Sequence, residues 1–218
     1  MENELSEVVQ QPISTIGSFA TLDSFKELYD IGKMFASSSL VPDTYQGKSM
    51  DCTIAVDMAN RMGVSPMFVM QNLYIVKGKP SWSGQACMSM IRANYKDVKP
   101  VYTGEKGTDT WGCFIRATDK DGTVIDGTEV TIAMAKSEKW YSKTDKYGNE
   151  TSKWQAFPQQ MLAYRAAAFF ARVYIPNALM GCTVEGEAED STKTVLPAAP
   201  NPLRVTEKVM KEAEEQFK

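Results

Sequence analysis

The strongest constraint on the fold of this chain is a helix-like run near its carboxyl end that is apolar on nearly every face. It reads FPQQMLAYRAAAFFARVYIP, from Phe157 to Pro176. A helix with apolar residues all round is buried on all sides, so the run predicts a central helix. Pro158 suits the first turn of such a helix, and Pro176 ends it.

Two arginines interrupt this apolar run. Arg165 and Arg172 lie seven residues apart, which places both on one stripe of the helix, about 10.5 Å apart along its axis. A buried guanidinium without an anion is destabilising by several kcal/mol. Each arginine therefore forms an internal ion pair, for instance with Glu129 or Asp126, reaches solvent at the rim, or binds a phosphate. The sequence leaves these alternatives open.

A loop of alternating cations and aromatics precedes the helix. It reads KSEKWYSKTDKYGNETSKW and includes Lys139, Trp140, Lys153 and Trp154. An exposed aromatic ring loses about 1.5–3 kcal/mol of burial, so these rings either pack on the core or stack on a ligand. Stacking on a base contributes ~1–3 kcal/mol. Lysines beside aromatic rings therefore predict contact with single-stranded nucleic acid.

A second basic stretch lies earlier in the chain. Lys77-Gly78-Lys79 reads as a hairpin turn between two short strands, followed by Trp82 and, in the next helix, by Arg92. The alternative interpretation is a solvated turn with Trp82 in the core. With the loop and helix residues above, this stretch completes the predicted DNA-binding set: Lys77, Lys79, Trp82, Arg92, Lys139, Trp140, Lys153, Trp154, Arg165 and Arg172.

The charge distribution is compatible with that prediction. The formal net charge is −3, but residues 31–182 hold eighteen basic and thirteen acidic residues, or +5. The acidity lies at the two ends, in residues 1–30 and 183–218. A mildly basic middle permits nucleic-acid binding without demanding it.

Several catalytic classes are excluded by composition. The chain has no histidine, which removes Ser-His-Asp and Cys-His catalysis and histidine-based zinc sites. The segment PDTYQGKS has Pro42 where a phosphate-binding loop needs its first glycine. Four scattered cysteines suggest free thiols in a reducing cytoplasm. No catalytic or metal-binding residue is expected, although a metal-dependent nuclease using Asp97, Asp126 or Glu129 remains an alternative.

The order of elements predicts a mixed α+β fold. Residues 1–19 read as a flexible arm, residues 20–182 as one core domain, and residues 183–218 as an acidic linker and tail with a short helix. In the core, helix caps at Thr21, Ser49 and Ser83 and period-two segments between residues 96 and 130 give the order α-α-β-β-α-β-β-β-α. Neither a membrane span nor a secretory signal is expected.

The order and content of these pieces resemble the RecT/Redβ-type single-strand DNA annealing proteins of phages. Four segments carry the resemblance over roughly residues 20–182: SSLVPDTYQGKSMDCTIAVDMANRMGVSPMFVMQNLYIVKGKPSWSGQA, the strands that follow it, the Lys139-Trp140 to Lys153-Trp154 loop, and FPQQMLAYRAAAFFARVYIPNALMG. The resemblance implies a small curved antiparallel sheet packed against helices, and assembly into rings or helical filaments. It also implies ATP-independent binding and annealing of single-stranded DNA in phage recombination.

The resemblance carries further expectations about partners. It implies a phage exonuclease or a host single-strand binding protein as a partner of the C-terminal tail, and single-stranded DNA and the annealed duplex as ligands. No cofactor is expected, with the Mg²⁺ dependence of annealing left open. A protein-binding adaptor without DNA activity, using Trp82, Trp140 and the C-terminal helix, is the remaining alternative.

Overall fold

The computed structural model describes residues 21–184. The predicted N-terminal arm and all but the first two residues of the predicted acidic tail lie outside this range. Six α-helices and seven short strands make up the described part. The helices are α1 (Leu22–Ala36), α2 (Ser49–Met62), α3 (Pro66–Asn72), α4 (Gly84–Asn94), α5 (Ile132–Ser137) and α6 (Pro158–Tyr174). The strands are β1 (Leu73–Val76), β2 (Lys79–Trp82), β3 (Lys96–Thr103), β4 (Gly112–Thr118), β5 (Val124–Asp126), β6 (Val130–Thr131) and β7 (Thr183–Val184).

Local capping chemistry sets the helix boundaries. The hydroxyl of Thr21 accepts a hydrogen bond from the Ser24 amide, and Ser83 does the same for Ala86 at the start of α4. Such caps satisfy amides that lack an intrahelical partner. The predicted cap at Ser49 is wrong by one position, because Ser49 is the first residue of α2 and Lys48 holds the cap position without a side-chain hydrogen bond. Gly63 follows the last residue of α2 and adopts the left-handed conformation.

The strands form two small sheets. In the first, β1 and β2 form an antiparallel hairpin, and β7 pairs with β2 in parallel through Ser81–Thr183 and Trp82–Val184. In the second, β4 lies in the centre and pairs antiparallel with β3, β5 and β6. Strand β7 corrects the prediction that Thr183 and Val184 belong to the linker, because both residues pair with β2.

Helix α6 is the buried centre of the fold, as its apolar sequence predicts. It packs against α4 on one side and against β4 on another. Small residues let the neighbours approach closely: a Cβ on Gly84 of α4 would stand 2.6 Å from Cβ of Tyr164, and one on Gly127 would stand 2.8 Å from the Phe170 ring. Close packing of α6 therefore depends on the absence of side chains at these positions.

The predicted mixed α+β class is confirmed. All four cysteines are buried as free thiols. Within residues 21–184, no helix combines the length and apolar character needed to cross a membrane.

Replacing Gly84 with alanine tests the contact between α4 and α6. The new methyl group would overlap Tyr164, including its carbonyl oxygen at 2.8 Å, so the helices must separate. Overpacking of this kind is destabilising by about 1–3 kcal/mol. We expect Gly84→Ala to lower the urea midpoint, whereas Ser89→Ala, at an exposed position of the same helix, leaves it nearly unchanged. Equal midpoints would show that the two helices tolerate the added group.

Candidate nucleic-acid interface

The three tryptophans predicted to contact DNA lie in the core. Trp82 is fully buried, and its Nε1–H donates a hydrogen bond to the Leu179 carbonyl at 3.1 Å. Trp140 and Trp154 are also buried. A base needs an open ring face for stacking, and these rings present none. In this fold their role is packing, the alternative that the sequence analysis raised for Trp82.

Trp140 and Trp154 anchor the basic loop to α6. Their ring centroids lie 6.2 Å apart at an interplanar angle of 30°, and Trp140 meets Phe169 of α6 edge-on at 6.2 Å. The Cζ atom of Arg165 lies 3.7 Å from the centroid of the Trp140 ring. A guanidinium over an indole face is a favourable cation–π contact.

The two arginines of α6 have different environments. Arg165 is 9% exposed and packs on Trp140, whereas Arg172 lies at the exposed end of the helix. Arg165 therefore offers little of its surface to a phosphate. The carboxylate of Asp126 binds Arg116 through two hydrogen bonds of 2.6 Å, and Glu129 accepts a hydrogen bond from Thr103.

The remaining predicted cations lie on the surface. Lys77 and Lys79 occupy the tip of the β1–β2 hairpin, where Lys77 and Gly78 have φ angles of 48° and 76°. Positive φ at both positions is the geometry of a tight two-residue turn. Arg92 lies in the last turn of α4, and Lys139 and Lys153 lie near the two ends of the basic loop. All of these side chains are exposed.

Two cavities with common lining residues lie at the amino-terminal end of α6. The first, of about 580 Å³, lies between β1, the start of α4 and the start of α6; its walls include Gln71, Tyr74, Gln85, Lys153 and Tyr164. The second, of about 500 Å³, includes Tyr102, Lys106, Trp111 and Gln159. Phe157 and Gln160 belong to both cavities. We call this surface the α6 groove.

The α6 groove combines open aromatic rings with cations and amides. Phe157 is 57% exposed and Tyr74 48% exposed, so both have surface free for a ligand. Lys153 and Lys106 supply positive charge. Among the described residues that line the groove, none is Asp or Glu. Such a surface suits an anion that carries flat rings.

Two helices begin at this groove. The first residues of α4, Gly84 and Gln85, line it, and so do the first residues of α6. Helix α6 has seventeen residues, and Phe157 at its N-cap position makes no side-chain capping hydrogen bond. The amino-terminal end of a helix carries partial positive charge, so both helices favour negative charge in the groove and add to the effect of the lysines.

Residues 142–152 of the basic loop form a small projecting hairpin, which we call the arm. Thr144 and Glu150 are bridge partners, and the Thr151 amide donates a hydrogen bond to the Lys143 carbonyl at 2.7 Å. Gly148 turns the chain with φ 84°. Tyr147, at the tip, is 76% exposed.

The arm's own hydrogen-bond donors occupy its two carboxylates. Asp145 accepts from the amides of Asn149 and Tyr147 at 2.9 and 2.8 Å, which lowers the pKa of Asp145. Glu150 accepts from the Ser142 hydroxyl and from the amides of Lys143 and Ser152, which lowers the pKa of Glu150. The acidic groups therefore hold the arm together.

The chemistry of a metal site is not assembled in the described part of the chain. Within residues 21–184, no group of three or more Cys, Asp or Glu side chains is placed to hold a metal ion. Of the three acids named for a nuclease, Asp126 and Glu129 have the partners given above, and Asp97 is exposed with a φ of 49°.

Comparisons with protein-family models, with curated proteins and with solved structures found no match for this chain. The resemblance to annealing proteins therefore rests on the sequence segments given above.

The structure brings together residues that the sequence analysis did not select. Of the ten predicted DNA-binding residues, Lys153 lines the α6 groove, and the other nine do not. The groove also contains residues that were not predicted from the sequence: Tyr74, Tyr102, Lys106 and the aromatic and amide residues at the start of α6. The one local signal was Phe157-Pro158-Gln159-Gln160, a polar start to an otherwise apolar helix.

Replacing Trp140 distinguishes packing from base stacking. Because the ring is buried among Trp154, Phe169 and Arg165, we expect Trp140→Ala to lower the free energy of unfolding by about 3–5 kcal/mol. The control is Tyr147→Ala, which removes an exposed ring and should change it by about 0.5 kcal/mol or less. Chemical denaturation of both variants measures the difference. A Trp140→Ala protein as stable as the parent would contradict the packing role.

The arm should loosen in acid. The pKa values of Asp145 and Glu150 are lowered in the fold. Their ionised carboxylates therefore stabilise the arm fully above the usual carboxyl pKa of about 4, and this stabilisation is lost as the pH falls through the lowered pKa values. We expect the amide resonances of Tyr147 and Asn149 to shift in that acid range, and the Asp145→Asn variant to lose the part of this titration that Asp145 causes. Amide positions that stay constant through carboxyl protonation would contradict the arrangement.

Proposed function

We propose that this protein binds single-stranded DNA and anneals it to a complementary strand without ATP, in the service of phage recombination. Assembly of many copies into a ring or filament is part of the proposal. The protein makes and breaks no covalent bond in this mechanism. The proposal rests on the α6 groove and on the sequence resemblance, which point to the same class of ligand by independent routes.

The observation that carries the proposal is the composition of the α6 groove. Open rings of Phe157 and Tyr74, the cations Lys153 and Lys106, and two helix starts lie along one surface without an acidic side chain among its described lining residues. Rings stack on bases, and lysines and helix starts attract phosphates. A single strand presents both groups at once, whereas a duplex hides its base faces.

The same groove explains binding without sequence preference. The amide side chains of Gln71, Gln85, Gln159 and Gln160 line it, and each amide carries both donors and an acceptor. Such groups can pair with any base edge. Backbone neutralisation and stacking are likewise independent of sequence.

Weak contacts per subunit fit an annealing mechanism. The described core carries nineteen basic and sixteen acidic residues, so one copy holds DNA loosely. Successive copies along one strand multiply the affinity, while each leaves base edges open for the complement. The exposed cations Lys77, Lys79, Arg92, Lys139 and Arg172 then serve as phosphate contacts outside the groove.

The proposed function also implies a cellular location and a set of partners. The protein acts in the cytoplasm of a bacterial host, where its four free thiols stay reduced. Its partners are the DNA strands, further copies of itself, and an exonuclease or single-strand binding protein contacted by the tail. No cofactor is required, and the effect of Mg²⁺ on annealing is for experiment.

The decisive experiment mixes two complementary labelled oligonucleotides with the protein, without ATP, and follows duplex formation. We expect pairing faster than the spontaneous rate, and rings or filaments by electron microscopy. Degradation of the DNA in Mg²⁺ or Mn²⁺ would instead favour a nuclease. Failure to shift any oligonucleotide at low salt would contradict DNA binding and favour an adaptor.

Two variants test the groove itself. Lys153→Ala removes one phosphate contact, so the slope of log K against log salt should fall by about 0.7. Phe157→Ala removes a stacking surface and should weaken binding by ~1–3 kcal/mol. Fluorescence anisotropy with labelled oligodeoxythymidylate measures both.

The matched control is Lys120→Ala, which removes an exposed lysine from the turn between β4 and β5. Its affinity and salt slope should match those of the parent protein. Groove variants that bind as tightly as this control would remove the α6 groove from the DNA path.

A further inference from the structure

The arm lies outside the α6 groove and has no role in the function proposed above. Its tip carries Tyr147, the most exposed aromatic ring among the described residues, with the exposed side chain of Lys146 beside it. The Lys146 Nζ atom lies 4.9 Å from the centroid of the Tyr147 ring. An isolated exposed ring needs no explanation, but this ring has a cation beside it and is carried by a hydrogen-bonded turn.

The hydrogen bonds of the arm order the backbone that carries this ring. Asp145 accepts hydrogen bonds from the amide of Tyr147 itself and from both the amide and the side-chain Nδ2 of Asn149. Glu150 links Ser142 and Lys143 to Ser152 across the base of the arm. The backbone at Tyr147 is therefore ordered before any ligand arrives, which reduces the entropy lost on binding.

The arm has no net formal charge, because Lys143 and Lys146 balance Asp145 and Glu150. Both carboxylates accept hydrogen bonds from within the arm or its base, and the charged end of Lys146 lies beside the exposed ring at the tip. A ring with a cation next to it matches the neighbouring base and phosphate of a single strand.

The arm is also continuous with the α6 groove. It ends at Ser152, whose hydroxyl donates a hydrogen bond to the Trp140 carbonyl at 2.8 Å. The next residue, Lys153, lines the groove, and Trp154 is buried against Trp140. The base of the arm therefore lies next to the α6 groove.

We propose that the arm is a second DNA contact, in which Tyr147 stacks on an unpaired base of a strand that also occupies the α6 groove, with Lys143 and Lys146 on the neighbouring phosphates. This inference rests on the proposed function and adds a contact outside the groove. The ligand is single-stranded DNA, because a paired base in a duplex presents no free face to the ring.

A tryptophan substitution gives a direct readout. All four native tryptophans are buried, so Tyr147→Trp introduces an exposed indole whose emission differs from theirs. We expect oligodeoxythymidylate to quench this emission and to protect it from acrylamide, beyond any change seen in the parent protein, whose Trp111 lines the α6 groove. An indole that stays unquenched at saturating DNA would overturn the proposal.

Affinity measurements complete the test. Tyr147→Ala should weaken binding of oligodeoxythymidylate about 5- to 100-fold, the range for the loss of one stacked base. Tyr147→Phe keeps the ring and should bind like the parent. Circular dichroism of each variant confirms that the fold is intact.

The outcomes separate the two proposals. If the parent protein binds no oligonucleotide, the proposed function fails. If the parent binds and Lys153→Ala weakens binding, but Tyr147→Ala binds like the parent, only the arm proposal fails. If Tyr147→Ala keeps its DNA affinity but loses a protein partner, the arm is a protein contact and the inference is overturned.

Discussion

The burial of α6 between α4 and β4 is the constraint on which the rest of this structure depends. Its apolar faces leave almost no surface for solvent, so the elements around it must supply close-packed partners. Gly84 and Gly127 permit that approach, because a side chain at either position would overlap α6. The helix can then carry two different surfaces at its ends: a polar start that lines a groove and an exposed end that bears Arg172.

The tryptophan pair connects this core to the basic surface. Trp140 and Trp154 bracket the arm in sequence and stack on each other in space, with Arg165 of α6 over the Trp140 ring. Aromatic stacking and the cation–π contact hold both ends of the loop against the helix. Residues between them are free to project, which is why Lys146 and Tyr147 lie exposed at the tip. Within this one loop, the rings of Trp140 and Trp154 are buried and anchor the chain, whereas the ring of Tyr147 is exposed.

Buried rings that anchor the loop and exposed rings at the surface are compatible with the proposed annealing function. A protein that anneals DNA must hold a strand without covering the base edges that pair. Stacking rings at the edge of a groove, lysines for the backbone and helix starts for phosphates meet that requirement. In the arm beside this surface, Asp145 and Glu150 accept hydrogen bonds from the arm's own amides.

Local signals in the sequence predict most helices and strands of this protein, whereas its tertiary structure determines which of their surfaces are exposed. Caps at Thr21 and Ser83, the turn at Lys77-Gly78 and the apolar run of α6 are local signals, and each was predictable because its cause lies within a few neighbouring residues. Strand β7 was not, since two residues gain strand geometry only by pairing with β2, about a hundred positions away. Long-range contacts also decided which of the predicted DNA-binding residues are exposed. Charge and aromatic content selected Trp82, Trp140 and Trp154, but whether a ring packs inward or faces a ligand depends on the neighbours that the fold places around it. The α6 groove joins Tyr74, Tyr102, Lys153 and Phe157 from distant parts of the chain, and no local pattern connects them.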